Sequence, residues 1–310
     1  MTWLQGLILG LVQGLAEFLP ISSSGHLTIM QELFGIGGAD NLSFDVAVHV
    51  ATVLSTLIVF YKPIGEIIKG TFAKGMNKEK DYVLKILLSM IPILFVGLFL
   101  KDFVEKIFDT QAVKAATGNP LLVVGIMLTI TAVLLLVSQI ISAVRDLKHG
   151  SDAEDKEQKI ADRMSVTEQM SGAQRRKIFR MQNGISYLQA FLVGIAQSFA
   201  VLPGLSRSGA TIATGLMSGV KKTSIAQFAF LMVIVPILGD ALLEVIKGLS
   251  GVDSSLFTLP VLCGFLAALL SGIFACQIMV RLLKKFNLYS FAVYCFIVGV
   301  LCIVLPYVLK

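Results

Sequence analysis

The hydrophobic positions of this chain run together in blocks rather than alternating with polar ones. Apolar blocks occupy 44–61, 83–100, 120–143, 224–246, 259–280 and 288–309. Each approaches the roughly 20 residues that an α-helix needs to cross a hydrocarbon core. Blocks this long and this numerous exceed what one buried core absorbs. The pattern predicts an all-α polytopic membrane protein with six transmembrane helices. Two further apolar runs differ, because each ends in a polar interruption. The first leads into "QGLAEFLPISSSGHLTI", Gln13 to Ile29, and the second into "QSFAVLPGLSRSGATI", Gln197 to Ile212. Pro20 and Pro203 cannot continue a helix through their own nitrogens, and each biases the residue before it away from helical angles. Each run is expected to form a re-entrant helix-loop-helix segment.

The two interruptions align. Gln13 and Gly25 are twelve residues apart, and so are Gln197 and Gly209. In that register Ala16 faces Ala200, Ser22 faces Ser206, Ser24 faces Ser208, and Ser23 faces Arg207; the prolines differ by one position. Three spans follow each copy. An odd number of spans per half turns the second half upside down, which predicts an inverted-topology repeat with its site near the bilayer midplane. The expected organisation is one integral membrane domain over 1–310, with a first repeat at 1–143 and a second at 184–310. Between them lies a polar linker, 145–183, holding nine Lys/Arg and seven Asp/Glu. Ile160, Met164, Ile178 and Met181 could line one face of a short helix within it, and a solvated cytoplasmic linker is the preferred reading.

Composition agrees with the pattern. Only 15% of the 310 residues are charged and 55% are hydrophobic, with a mean hydropathy of +0.82, whereas soluble domains carry about 25% charged residues. No nucleic-acid module is recognisable, so the net charge of +6 is read through its distribution. With the N-terminus outside, twenty of the 26 Lys/Arg fall on the cytoplasmic side, five outside, and Arg207 between. That satisfies the positive-inside rule. Residues 1–21 lack a basic start and a small-residue cleavage site, so no cleavable signal is expected. Cys263, Cys276, Cys295 and Cys302 show no metal-ligand spacing and read as packed or lipid-facing thiols. Trp3 reads as an interfacial anchor.

What remains is the chemistry of the interruptions. Gln13 and Glu17 share a helix face one turn apart. The serines Ser22, Ser23 and Ser24 stand before a helix start, where hydroxyls cap and free amides attract anions. Ser206, Ser208 and Thr211 repeat this arrangement, and Gly25 and Gly209 are expected to let backbone approach a ligand. Arg207 reads as the only Lys or Arg within the apolar body. Its guanidinium suits bidentate phosphate recognition and needs a carboxylate or an anion. Glu17 is its expected partner in the absence of ligand. Ser23 and His26, three apart, have the spacing of a nucleophile beside a base. Asp45 and His49 open the first full span, with a capping or interfacial role preferred over a cavity-lining one. Asp240, Glu244 and Lys247 read as an interfacial cluster.

The segments "EFLPISSSGHL" and "PGLSRSGATI", at this separation in a polytopic chain, closely resemble the two signature motifs of the bacterial undecaprenyl pyrophosphate phosphatases of the bacitracin-resistance type. The resemblance covers all but the 145–183 insert. It implies hydrolysis of a C55 polyprenyl pyrophosphate to the monophosphate in the plasma membrane, recycling the carrier for cell-wall synthesis, with a divalent cation, Mg2+ or Ca2+. By motif position, Ser23 is implied as nucleophile or phosphate ligand, and His26 as general acid/base or nucleophile. Glu17 would bind metal or orient the histidine with Gln13 in support, and Arg207 would clamp phosphates. Ser22, Ser24, Gly25, Ser206, Ser208, Gly209 and Thr211 would complete substrate binding. The resemblance also suggests a site open to the extracytoplasmic side. This chain has Gln13 where the motif allows Glu, leaving one carboxylate rather than two.

The competing reading is a secondary transporter or flippase for an anionic or lipid phosphate substrate, since inverted repeats with broken helices are common there. Transport needs no Ser23/His26 pair, which favours the enzyme. A lysine offers a point charge where a planar fork is required. Arg207→Lys is therefore expected to lower polyprenyl pyrophosphate turnover by about two orders of magnitude, some 2.7 kcal/mol of transition-state stabilisation. Near-normal kinetics in a steady-state assay would remove the clamp role.

Overall fold

The computed structural model of the chain describes residues 1–36, 40–100, 113, 116–149, 184–249, 258–285 and 287–308. Most of the 145–183 linker, with Ile160, Met164, Ile178 and Met181, lies outside the described residues, as do the side chains of Asp240, Glu244 and Lys247. The described chain is all helical. In order the helices are α1 (Trp3–Phe18), α2 (Ser23–Leu33), α3 (Asp40–Val59), α4 (Tyr61–Phe72), α5 (Lys78–Phe99) and α6 (Leu122–His149). They continue with α7 (Tyr187–Phe199), α8 (Arg207–Met217), α9 (Lys222–Leu249), α10 (Leu259–Lys285) and α11 (Tyr289–Val308).

Four helices are long and apolar enough to cross a membrane: Lys78–Phe99, Leu122–Arg145, Leu259–Met279 and Tyr289–Val308. A fifth candidate is bent by 76° between Phe44–Val59 and Tyr61–Phe72. Pro63 explains the bend. It has no N–H for the Val59 carbonyl and its ring crowds that carbonyl, so α3 cannot run on into α4. Trp3–Phe18, Tyr187–Phe199 and Ser224–Gly239 are shorter apolar stretches. The protein is thus an all-α polytopic membrane protein. Trp3, about half exposed, stands at the start of α1.

Helix pairing follows small residues, as expected where lipid supplies no hydrophobic drive between helices. Gly6, Gly10 and Gly14 form a seam on α1, and a Cβ at any of them would overlap α10 at Pro260, Gly264 or Ala268. Gly194 brings α7 against the backbone of α5 at Ser89, and Gly125 brings α6 against Gly299 of α11. The two motif regions start alike. Thr2 caps α1 and Ser186 caps α7, each in a reciprocal capping box with a glutamine, Gln5 or Gln189. Ser22 and Ser206 then cap α2 and α8 by accepting from Gly25 N at 3.1 Å and Gly209 N at 3.0 Å.

The sequence reading of Arg207 as the sole basic residue in the apolar body is corrected by Lys85. Its side chain is fully buried and bridges Asp81 on its own helix at 2.5 Å. The Tyr187 hydroxyl donates to the other Asp81 oxygen at 2.7 Å, and the Lys85 ammonium sits 5.4 Å from the Tyr187 ring centre. One turn of spacing pairs the charges, and α7 seals them. Removing one partner of a buried pair strands the other charge, at about 3–5 kcal/mol. Lys85→Met is expected to lower the unfolding midpoint in detergent. Adding Asp81→Leu is expected to restore much of it, and an unchanged midpoint in the single variant would deny the pair that role.

Candidate active site

The site is built where two helix breaks meet α3. α1 stops at Phe18, Leu19 turns extended, and the chain crosses Pro20 to Ser22. Ser22 holds a positive φ of 70°, which is uncommon outside glycine. Its reward is the cap on α2. In the second break Gly204 takes the corner with φ 90°, and a Cβ there would strike the α6 backbone at Val124. Hydrogen bonds lock the breaks to their surroundings. Ser206 N donates to Thr131 Oγ1 of α6 at 3.1 Å, and Ser208 Oγ donates to the Leu19 carbonyl at 2.9 Å. The second bond ties the two motifs directly together.

A cavity opens between them, lined by Glu17, Ser22, Ser23 and Ser24 of the first motif and by Ser206, Arg207, Ser208 and Thr211 of the second. His49, Thr52 and Thr56 of α3 complete its polar wall, and Phe18, Leu205 and Phe230 stand among its apolar lining. In the first turn of each short helix the leading amides have no intrahelical acceptor, so Ser23 and Ser24, and Arg207 and Ser208, bring donors to this wall.

Glu17 is held at one oxygen. Gln13 Nε2 donates to Oε2 at 2.8 Å and Ser23 Oγ donates to the same oxygen at 2.6 Å. The expected Glu17–Arg207 ion pair is not formed. Glu17 is taken by its own helix neighbour and by the serine, while Nη1 of Arg207 is buried with no hydrogen-bond partner. The Gln13 carbonyl oxygen is likewise buried without a partner. Thr211 turns its hydroxyl to the carbonyls of Arg207 and Ser208, at 2.8 and 3.2 Å, and so braces the first turn of α8.

The Ser23–His26 pairing is also corrected. His26 Nδ1 donates to the Ser22 carbonyl four residues back, at 2.8 Å, and Nε2 accepts from the Tyr294 hydroxyl of α11 at 2.6 Å. The two rings lie parallel, 5.5 Å apart. Both nitrogens are engaged away from the cavity, and Ser23 meets a carboxylate instead. Gly25 and Gly209 differ from expectation too. Their amides serve the caps, and they give close packing: a Cβ would come within 3.2 Å of Val124 at Gly25 and 3.1 Å of Thr131 at Gly209. Neither lines the cavity. Conversely, His49 does line it, against the interfacial reading. The signal was present in the spacing of His49, Thr52 and Thr56, a polar stripe at helical period along an apolar span.

Comparison with known proteins shows the family to which the chain belongs. The family model described as "Bacitracin resistance protein BacA" matches residues 6–301. An undecaprenyl-diphosphatase of Bacteroides fragilis is 46% identical over 306 residues, 98% of both chains. One of Parabacteroides distasonis is 46% identical over 305 residues, again 98% of both. One of Methanosphaera stadtmanae is 33% identical over 321 residues, 99% of both. With a family model spanning nearly its whole length and relatives this similar from end to end, the chain belongs to the bacitracin resistance protein BacA family.

Proposed function

We propose that the chain is an undecaprenyl-diphosphatase that hydrolyses a C55 polyprenyl pyrophosphate to the monophosphate and inorganic phosphate. It recycles the lipid carrier for cell-wall synthesis in the bacterial plasma membrane, and this activity confers bacitracin resistance. The relatives support the activity. The observation that carries the chemistry is the Ser23 hydroxyl held 2.6 Å from the Glu17 carboxylate, in a cavity whose other motif presents a guanidinium with an unpartnered nitrogen. A carrier protein needs an anion site but no such activated hydroxyl, so the transporter reading is the weaker one.

Ser23 Oγ attacks the terminal phosphorus while Glu17 takes its proton, the bridging P–O bond breaks, and the polyprenyl monophosphate leaves. Water then cleaves the phosphoserine. Arg207 and the free amides of α2 and α8 hold the non-bridging oxygens, where charge develops. His26 is a positioning residue in this scheme, since its ring fastens the Ser22 corner to Tyr294. The residues fit a divalent cation. The second Glu17 oxygen and the orphaned Gln13 carbonyl are hard oxygen donors, and Mg2+ is commonly held by one or two carboxylates together with substrate phosphates. Bound there, the cation would neutralise charge on the pyrophosphate.

The architecture that accommodates this reading has six spans and two re-entrant segments, with repeats 1–143 and 184–310 inverted about the midplane and a cytoplasmic linker at 145–183. The matching caps of α1 and α7, and of α2 and α8, support it. Charge bias supports an external N-terminus, and the site opens to the outer face, where the pyrophosphate is released.

Purified protein in detergent is expected to release phosphate from C55 pyrophosphate and to lose this activity in EDTA. No release under any metal condition would return the transporter to first place. Ser23→Ala is expected to abolish turnover while retaining substrate binding; a variant keeping most of its activity would move the nucleophile elsewhere. For access, a cysteine replacing Ser22 in a variant lacking the four native thiols is expected to react with a membrane-impermeant reagent on whole cells. Reaction confined to inverted vesicles would make the site cytoplasmic.

A further inference from the structure

Of the polar groups that line the cavity from outside the two signature motifs, His49, Thr52 and Thr56, His49 alone is ionisable. It sits on α3, a helix that carries none of the motif residues, yet it lines the same space as Glu17, Ser23 and Arg207. Its orientation is set from behind. Nδ1 lies 2.7 Å from the Asp45 carbonyl, and a carbonyl can only accept, so Nδ1 carries a hydrogen. Nε2 has no hydrogen-bond partner among the described residues and is the edge of the ring left to the cavity. Asp45 is itself steadied by Gln31 Nε2 of α2 at 2.9 Å. The ring is thus fixed by a second layer of contacts, as groups that meet ligands commonly are. His26, the other histidine near the motifs, has both nitrogens occupied.

We propose that His49 is a substrate-binding residue whose Nε2–H donates to a pyrophosphate oxygen, making it the second cationic ligand of the phosphates beside Arg207. This rests on the phosphatase reading of the cavity. Charge supports it. Glu17, the carboxylate that serves the serine, shares the cavity wall with both His49 and Arg207. With Nδ1 committed to a carbonyl, Nε2 can donate only in the imidazolium form. The charged groups that share the cavity with that ring are Glu17 from α1 and Arg207 from α8, and Asp45 stands one turn before it on its own helix. The described apolar stretches of α9 and α10 bring no charged side chain to α3, and α10 carries only the thiols Cys263 and Cys276.

The role predicts a pattern that a merely structural histidine would not give. Glutamine reaches a similar distance and keeps an N–H donor without needing a proton, whereas leucine keeps volume and loses the donor. Binding of inorganic pyrophosphate with Mg2+ is measured by calorimetry on the purified full chain, beside phosphate release from C55 pyrophosphate. His49→Leu is expected to weaken binding by about 20-fold or more, the effect of a hydrogen bond to a charged group. His49→Gln is expected to stay within about threefold of wild type at neutral pH, a difference of well under one tenfold step. Wild-type affinity relative to His49→Gln is expected to fall as pH rises, because Nε2 donates only while the ring carries its second proton. Equal binding by wild type and leucine variant would overturn the proposal, and so would a glutamine variant as weak as leucine. If the leucine variant fails to fold, the pH ratio between wild type and His49→Gln decides alone, and a flat ratio overturns the proposal. Absence of C55 pyrophosphate turnover in wild type would instead overturn the phosphatase reading and leave the binding comparison to judge His49 separately.

Discussion

A bilayer core contains no water to hydrogen-bond a broken helix, so every backbone group freed by a break must find its partner within the protein. The whole centre of this molecule answers that constraint. Two helices are interrupted, and each interruption is closed by a serine that caps the next helix through a glycine amide. The caps leave the leading amides of α2 and α8 without internal acceptors, and these are the groups that reach the cavity. Donors that would be a cost in hydrocarbon stand instead at the wall of a polar cavity. The two breaks also touch: the Leu19 carbonyl, at the end of α1, accepts from Ile21 N of its own turn and from Ser208 of the other motif.

Around that centre the scaffold needs little more than close approach. Glycine seams let α1 lie against α10, α7 against α5 and α6 against α11, and dispersion then acts over long apolar faces. The buried Asp81–Lys85 pair with Tyr187 adds a polar fastening between α5 and α7. It lies apart from the residues that line the cavity. Positioning of α7 bears directly on the site, because α7 leads into the break that carries Arg207.

Much of this was legible from local spacing. The i, i+4 relation put Gln13 and Glu17 on one helix face, where they hydrogen-bond, and serines ahead of a helix start pointed to the caps of α2 and α8. Hydrophobic blocks located the long helices, although the block at 44–61 did not reveal that Pro63 would turn the chain by 76°. Direction was harder. His26 is bound by Tyr294, 268 residues later in the chain, and nothing local reports so distant a partner. Lys85 lay at the edge of an apolar block and resembled loop charge; only the packing of α7 made it interior. Glu17 was matched to Arg207 by charge, but a serine six residues away and a glutamine four away were closer competitors for the same oxygen.

The two ends of the polar linker have a consequence for how this protein can vary. Arg145, at its start, donates to the last carbonyls of α8 at Leu216 and Met217, at 2.9 and 2.5 Å. At its end, Ser186 fixes the first turn of α7 through the capping box. The helices that frame the second motif are therefore pinned by contacts made outside 150–183. Lengthening a flexible connection costs only slowly, about 0.6 kcal/mol per doubling. A change of chain length between the two pins is therefore expected to leave those contacts, and the cavity they hold in register, in place.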